Sequence, residues 1–144
     1  MDSYFDSAII VKLYVMEATS PQAIRLVDAH VPPYCLTHWQ ELEVKNAIRL
    51  KTFRKEISVS EMTESIAAFE QDISTGRWER PVYDAFTVEK KAHEISATYS
   101  SELGCRTLDI IHVAAAIVIQ AKVFITFDGR QGALAKQAGL SVKS

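Results

Sequence analysis

Cysteine, proline and glycine are all scarce in this chain of 144 residues, with two, four and five respectively. The two cysteines, Cys35 and Cys105, form neither a disulfide framework nor a metal-ligand spacing. That excludes a stapled secreted scaffold and predicts ordinary thiols in a reducing compartment. There is no Gly/Ser stretch, low-complexity segment or internal repeat at which to divide the chain, so a single domain over 1–144 is expected. Long apolar runs are missing too, and nothing reaches the length of a membrane span. The opening "MDSYFDSAIIVKLYV" places two acids before its apolar run and Lys12 inside it, the reverse of a secretory leader. A cytoplasmic protein without membrane attachment is the expectation. Positive charge is not in excess either: the formal net charge is −2. This argues against non-specific coating of nucleic acid, but not against a nuclease whose metal ions supply local positive charge.

What the chain does have is 48% hydrophobic residues, set out as short apolar strands between helices. A strand at 4–6 runs into a helix at 8–15. Ser20 and Pro21 open a second helix to about 29, Ser as cap and Pro in the first turn. "VPPYCLT" (31–37) breaks the chain and starts a strand, and the helix after it takes Leu42, Ala47 and Leu50 as inward candidates. The segment 58–76 reads as a helix capped by Ser58 or Ser60 and closed by Gly76. A short strand in "WERPVYDAF", a helix from about 87 to 103, the apolar helix of "RTLDIIHVAAA", a strand at 123–128, a helix and a strand "LSV" complete the order. Such alternation predicts an α/β fold with a mainly parallel, roughly five-stranded sheet covered on both faces.

The acids fall where that fold binds ligands. In open parallel sheets, ligands bind beyond the carboxyl ends of the strands. Asp6 and Asp128 each end a predicted strand, and Asp109 lies near the start of its helix. Glu43, one turn into the helix after "YCLT", is a fourth candidate, with Glu41 as its alternative on a different face. Each acid taken alone has an ordinary role. Asp6 and Asp128 suit helix caps, Asp109 suits a first-turn acid, and Glu43 suits a solvated helix face. Together they would repel one another by roughly 4 kcal/mol per close pair at an effective dielectric near 20, and so would take up protons or a cation. Oxygen donors without a cysteine or histidine set select Mg²⁺ or Mn²⁺.

Four segments then carry a family likeness: "YFDSAIIVKLY" (4–14), "LTHWQELEVKNAIRLK" (36–51), "RTLDIIHVAAA" (106–116) and "VFITFDGRQGALAKQAGL" (123–140). In this order and spacing the chain resembles the PIN-domain ribonucleases, specifically the VapC-type toxins of toxin–antitoxin pairs. The resemblance implies a Rossmann-like, three-layer α/β/α PIN domain with an acidic pocket for Mg²⁺ or Mn²⁺. It implies hydrolysis of RNA phosphodiesters by a metal-activated water, leaving a 3′-hydroxyl and a 5′-phosphate. Position by position, Asp6, Glu43, Asp109 and Asp128 match the family's metal-binding and catalytic acids. Ser7, Asn46, Arg106 and Thr126 match supporting positions. A VapB-type antitoxin and a homodimer are the partners it implies, with RNA as substrate.

His112, one turn from Asp109, reads as a packing residue rather than a base. The cations of "RLKTFRK" (49–55) read as a solvated helix end, and the aromatics Tyr4, Phe5, Trp39 and Phe69 as core. Two other functions compete with the toxin reading. A catalytically silent PIN-like module would bind RNA or protein without cutting. A phosphotransfer domain would also place acids at strand tips, but the D-x-D or paired acids that it needs after the first strand are absent.

Overall fold

The computed structural model describes all residues, 1–144, as an α/β protein with seven helices and five short strands. The chain divides into two compact units. One comprises residues 1–6 and 81–144, the other residues 7–80.

The first unit holds β1 (Ser3–Phe5), α5 (Ala85–Leu103), α6 (Thr107–Val118), β4 (Val123–Ile125), α7 (Gly129–Gln137) and β5 (Ser141–Lys143). Its three strands are parallel in the order β1-β4-β5, with Phe5 opposite Ile125 and Ile125 opposite Lys143. A parallel pair so distant in sequence needs crossover helices, and α5, α6 and α7 supply them. Asp84 starts α5 by accepting a hydrogen bond from the Thr87 amide, and Gly104 ends it at φ 65°, a left-handed cap that glycine adopts without strain. Tyr4 and Phe124 stack with ring centroids 5.3 Å apart. Tyr4 also meets His112 through a 2.7 Å hydrogen bond between its hydroxyl and Nδ1. His112 is therefore a core residue, as its position on the apolar helix predicts. The alanines 114–116 are fully buried on α6.

The second unit holds α1 (Ser7–Tyr14), α2 (Ser20–Asp28), β2 (Tyr34–Cys35), α3 (His38–Phe53), α4 (Val59–Ser74) and β3 (Trp78–Glu79). Its two strands are parallel, Tyr34 opposite Trp78. Two capping boxes start its longer helices, Thr37 with Gln40 on α3 and Ser58 with Glu61 on α4. Tyr14 links elements here: its hydroxyl donates to Asp72 at 2.6 Å and accepts from the Trp78 indole at 2.7 Å. Burial deprives the Cys35 thiol of solvation and pushes it up to about 12, so it is inert at neutral pH.

Several expectations are corrected. The five strands exist and are parallel, but as sheets of three and two rather than one sheet. The strand expected across 78–86 stops at Glu79. Ser20 does not cap α2. Thr19 stands at that position, and Ser20 Oγ instead accepts from the Glu17 amide. Leu42, at 68% exposure, and Leu50 face outward on α3, where the buried row is Gln40, Val44 and Ile48. Gln40 can be buried because the capping box satisfies its side chain, and Val44 and Ile48 continue its i, i+4 row. No helix is long and apolar enough to cross a membrane.

Candidate active site

β1 and β4 run side by side, so their carboxyl ends open on the same edge of the sheet. Asp6 follows β1 directly, and its amide donates to the Ile125 carbonyl at 2.8 Å. This extends the ladder one step and fixes the carboxylate at the edge. Thr126 follows β4, is buried, and donates its hydroxyl to Asp6 Oδ2 at 3.0 Å. The same hydroxyl oxygen accepts from the Asp128 amide at 2.9 Å. One small side chain thus ties two acids together.

Asp128 uses its two carboxylate oxygens differently. Its Oδ1 caps α7, accepting from the amides of Arg130 at 2.8 Å and Gln131 at 3.1 Å. Its Oδ2 faces the Arg106 guanidinium, 3.6 Å from Nη2. The expected placement of Asp109 also holds: it lies in the first turn of α6, only 8% exposed, as is Asp6. Arg106 Nε donates to Asp109 Oδ2 at 3.0 Å. The guanidinium therefore spans Asp109 and Asp128. Its affinity for its proton is raised first by the hydrogen bond to Asp109, then by the charges of Asp109, Asp128 and Asp6.

Gln131 is a residue that the sequence reading missed. It stands three residues after the Asp128 cap, where a glutamine in a capping box reaches back to the cap amide. Gln40 on α3 makes that bond, to the amide of Thr37 at 2.7 Å. In α7 the cap amide is already taken by Thr126, and Gln131 turns instead to Asp109, with Nε2 at 3.4 Å from Oδ1. The side chain is 2% exposed, and its Oε1 has no hydrogen-bond partner. A buried carbonyl left unmet costs about 1–3 kcal/mol. The D-x-x-Q spacing was a visible signal, but it spells a cap, not a site.

Beside Asp128, an open cleft of about 690 Å³ is lined by Thr126, Asp128, Gly132, Lys136 and Val142 among others. A Cβ at Gly132 would sit 3.4 Å from the Val142 side chain and 3.5 Å from that of Thr126, in ordinary contact with the cleft wall. Burial and the Asp109 charge both raise the Cys105 thiol, which disfavours its thiolate.

Glu43, Asn46 and Ser7 belong to the other unit. Glu43 is half-buried and Asn46 exposed on α3, while Ser7 opens α1 with its buried hydroxyl unpartnered. The alternative acid, Glu41, is committed elsewhere. Its carboxylate accepts from Lys45 at 3.1 Å and from Arg80 at 2.7 and 2.8 Å. Lys51 of the basic segment likewise pairs with Glu17 and Glu56.

As arranged, no three His, Cys, Asp or Glu side chains are grouped to hold a metal ion. The chemistry of the donors nonetheless suits a hard cation: carboxylates, a hydroxyl and an unmet amide carbonyl, with no sulfur. Mg²⁺ commonly takes only one or two protein carboxylates and keeps much of its water, so it does not require a closed cage. No family model matches the sequence, and no characterised protein matches it at a significant level.

Proposed function

We propose that this protein is a metal-dependent endoribonuclease, the toxin of a VapC-type toxin–antitoxin pair, with the three-layer PIN fold. The observation that carries this reading is that Asp6, just past β1, and Asp128, three residues past β4, are linked by Thr126, which donates to the Asp6 carboxylate and accepts from the Asp128 amide, while Arg106 bridges the carboxylates of Asp109 and Asp128. Capping accounts for Oδ1 of Asp128, whereas its Oδ2 faces Arg106 and the Asp6 carboxylate accepts from Thr126.

Asp6, Asp109 and Asp128 are the residues that would hold Mg²⁺ or Mn²⁺, with Glu43 added by the family resemblance. When bound, such an ion makes water nucleophilic near neutral pH and offsets the charge developing on a phosphodiester. The chain's own residues do the positioning. Thr126 orients Asp6, the α7 cap fixes Asp128, and Gln131 bears on Asp109. The open cleft beside Asp128, with Lys136 on its wall, suits a polyanionic chain. A VapB-type antitoxin and a homodimer belong to the same proposal.

The silent-module reading has one observation in its favour, the lack of a closed ligand group. It predicts binding that Asp6→Ala leaves unchanged. Expression in a bacterial host separates the two. Wild-type protein is expected to arrest growth, and Asp6→Ala at equal protein level is not. Equal arrest by both, or no arrest by either, counts against the toxin.

A further inference from the structure

Arg106 occupies a position that helix chemistry disfavours. It is the N-cap of α6 and makes no side-chain cap hydrogen bond, where Ser, Thr, Asp or Asn would satisfy an orphan amide. Its charge is also of the wrong sign for the positive end of a helix. What holds it there is the pair of carboxylates: Nε on Asp109 at 3.0 Å and Nη2 on Asp128 at 3.6 Å. The residue is 69% exposed on its side chain, so the guanidinium is free to leave without disturbing the core.

The acid it grips is different. Asp109 is 8% exposed, and a buried carboxylate needs compensating charge. Arg106 supplies it in this structure. A divalent cation on Asp109 would face the guanidinium at short range, and the two like charges would repel.

We propose that Arg106 is the site's resident counter-ion, exchanged for the divalent cation when that cation binds, and that the released guanidinium then contacts the RNA phosphate. This inference rests on the metal-dependent reading above and adds a role to it. Until a cation arrives, Arg106 neutralises Asp109 and Asp128. Once displaced, it remains tethered at the head of α6, where its planar fork suits a phosphate. No bond is made or broken by Arg106, and it carries no proton.

Titration calorimetry of Mn²⁺ into wild type, Arg106→Gln and Arg106→Lys tests the exchange. Removing a competing, largely exposed ion pair is expected to tighten Mn²⁺ binding by about threefold to tenfold in Arg106→Gln. Arg106→Lys keeps the charge and is expected to stay closer to wild type. The thermal midpoint gives a second readout. Without metal, Arg106→Gln is expected to melt below wild type, and saturating Mn²⁺ is expected to close that gap; a merely structural arginine would leave it open. For the phosphate contact, cleavage of an RNA oligonucleotide at saturating Mn²⁺ is expected to fall about tenfold to a hundredfold in Arg106→Gln. Equal or weaker Mn²⁺ binding by Arg106→Gln, with wild type binding normally, overturns the exchange and leaves the metal-dependent reading in place. Undiminished cleavage overturns the phosphate contact. Absence of Mn²⁺ binding by all three proteins overturns the metal-dependent reading and this inference with it.

Discussion

Glu41 and Glu43 stand two residues apart on α3, and Glu41 is held in ion pairs with Lys45 and Arg80. Burial alone would raise the Glu41 carboxyl, but the hydrogen bonds and charges of Lys45 and Arg80 outweigh it and hold the group below its ordinary 4.5. A carboxyl lowered by folding contributes stability above its unfolded value, and that contribution is lost as pH falls through the lower folded value. Glu41→Gln is therefore expected to cost about 0.5–1 kcal/mol at pH 7 in urea unfolding, with the gap to wild type closing in acid below about pH 4. A gap independent of pH would contradict the ion-pair account. The sequence could rank these two acids only by local context, since helix spacing says that they point apart but not which one meets cations. Asp128 shows the same limit from another side. Cap and metal ligand were both legible as readings at that position, and only the geometry shows one oxygen capping α7 and the other facing Arg106. Gln131 was illegible because its diversion depends on Thr126 taking the cap amide, a contact set by the fold.

The elements were most legible where local chemistry is complete within a few residues. The box at Ser58 and Glu61 and the turn at Gly76 bound α4 within the segment expected for it. Ser58→Ala is expected to lower stability by about 1 kcal/mol, while Ser58→Asp retains most of it, as read by thermal or urea unfolding. Equal loss in both would show that the hydroxyl's cap bond is not what matters. At α2 the local reading failed, because the preceding turn sets Ser20 inside the helix and turns its hydroxyl to Glu17 and Val15. At α3 the apolar pattern misled. Leu42, Leu50 and Phe53 are exposed, and a glutamine satisfied by its own cap lies in the buried row. Periodicity weighs residues by hydrophobicity and cannot see that a polar side chain has been satisfied.

At the scale of the whole molecule, the alternation of strand and helix fixes the class, α/β with parallel strands, but not the partners. β1 pairs with β4, about 120 residues away, as Phe5 opposite Ile125 shows. No short-range pattern specifies such a pairing, so the division into sheets of three and two was not legible. The meeting of Asp6 and Asp128 does not require a single five-stranded sheet. Adjacent parallel β1 and β4 bring Asp6 and Asp128 to one edge. In the function proposed above, these acids form, with Asp109, a metal-dependent phosphodiesterase site. The most direct measurement is cleavage of RNA by the purified protein, free of any partner, with Mn²⁺ or Mg²⁺. Wild type is expected to cut and to leave 5′-phosphate ends. EDTA should abolish cleavage, and Asp109→Asn should lower its rate by about a thousandfold or more while remaining folded. Cleavage that persists in EDTA, or an Asp109→Asn variant that cuts as fast as wild type, would contradict the account.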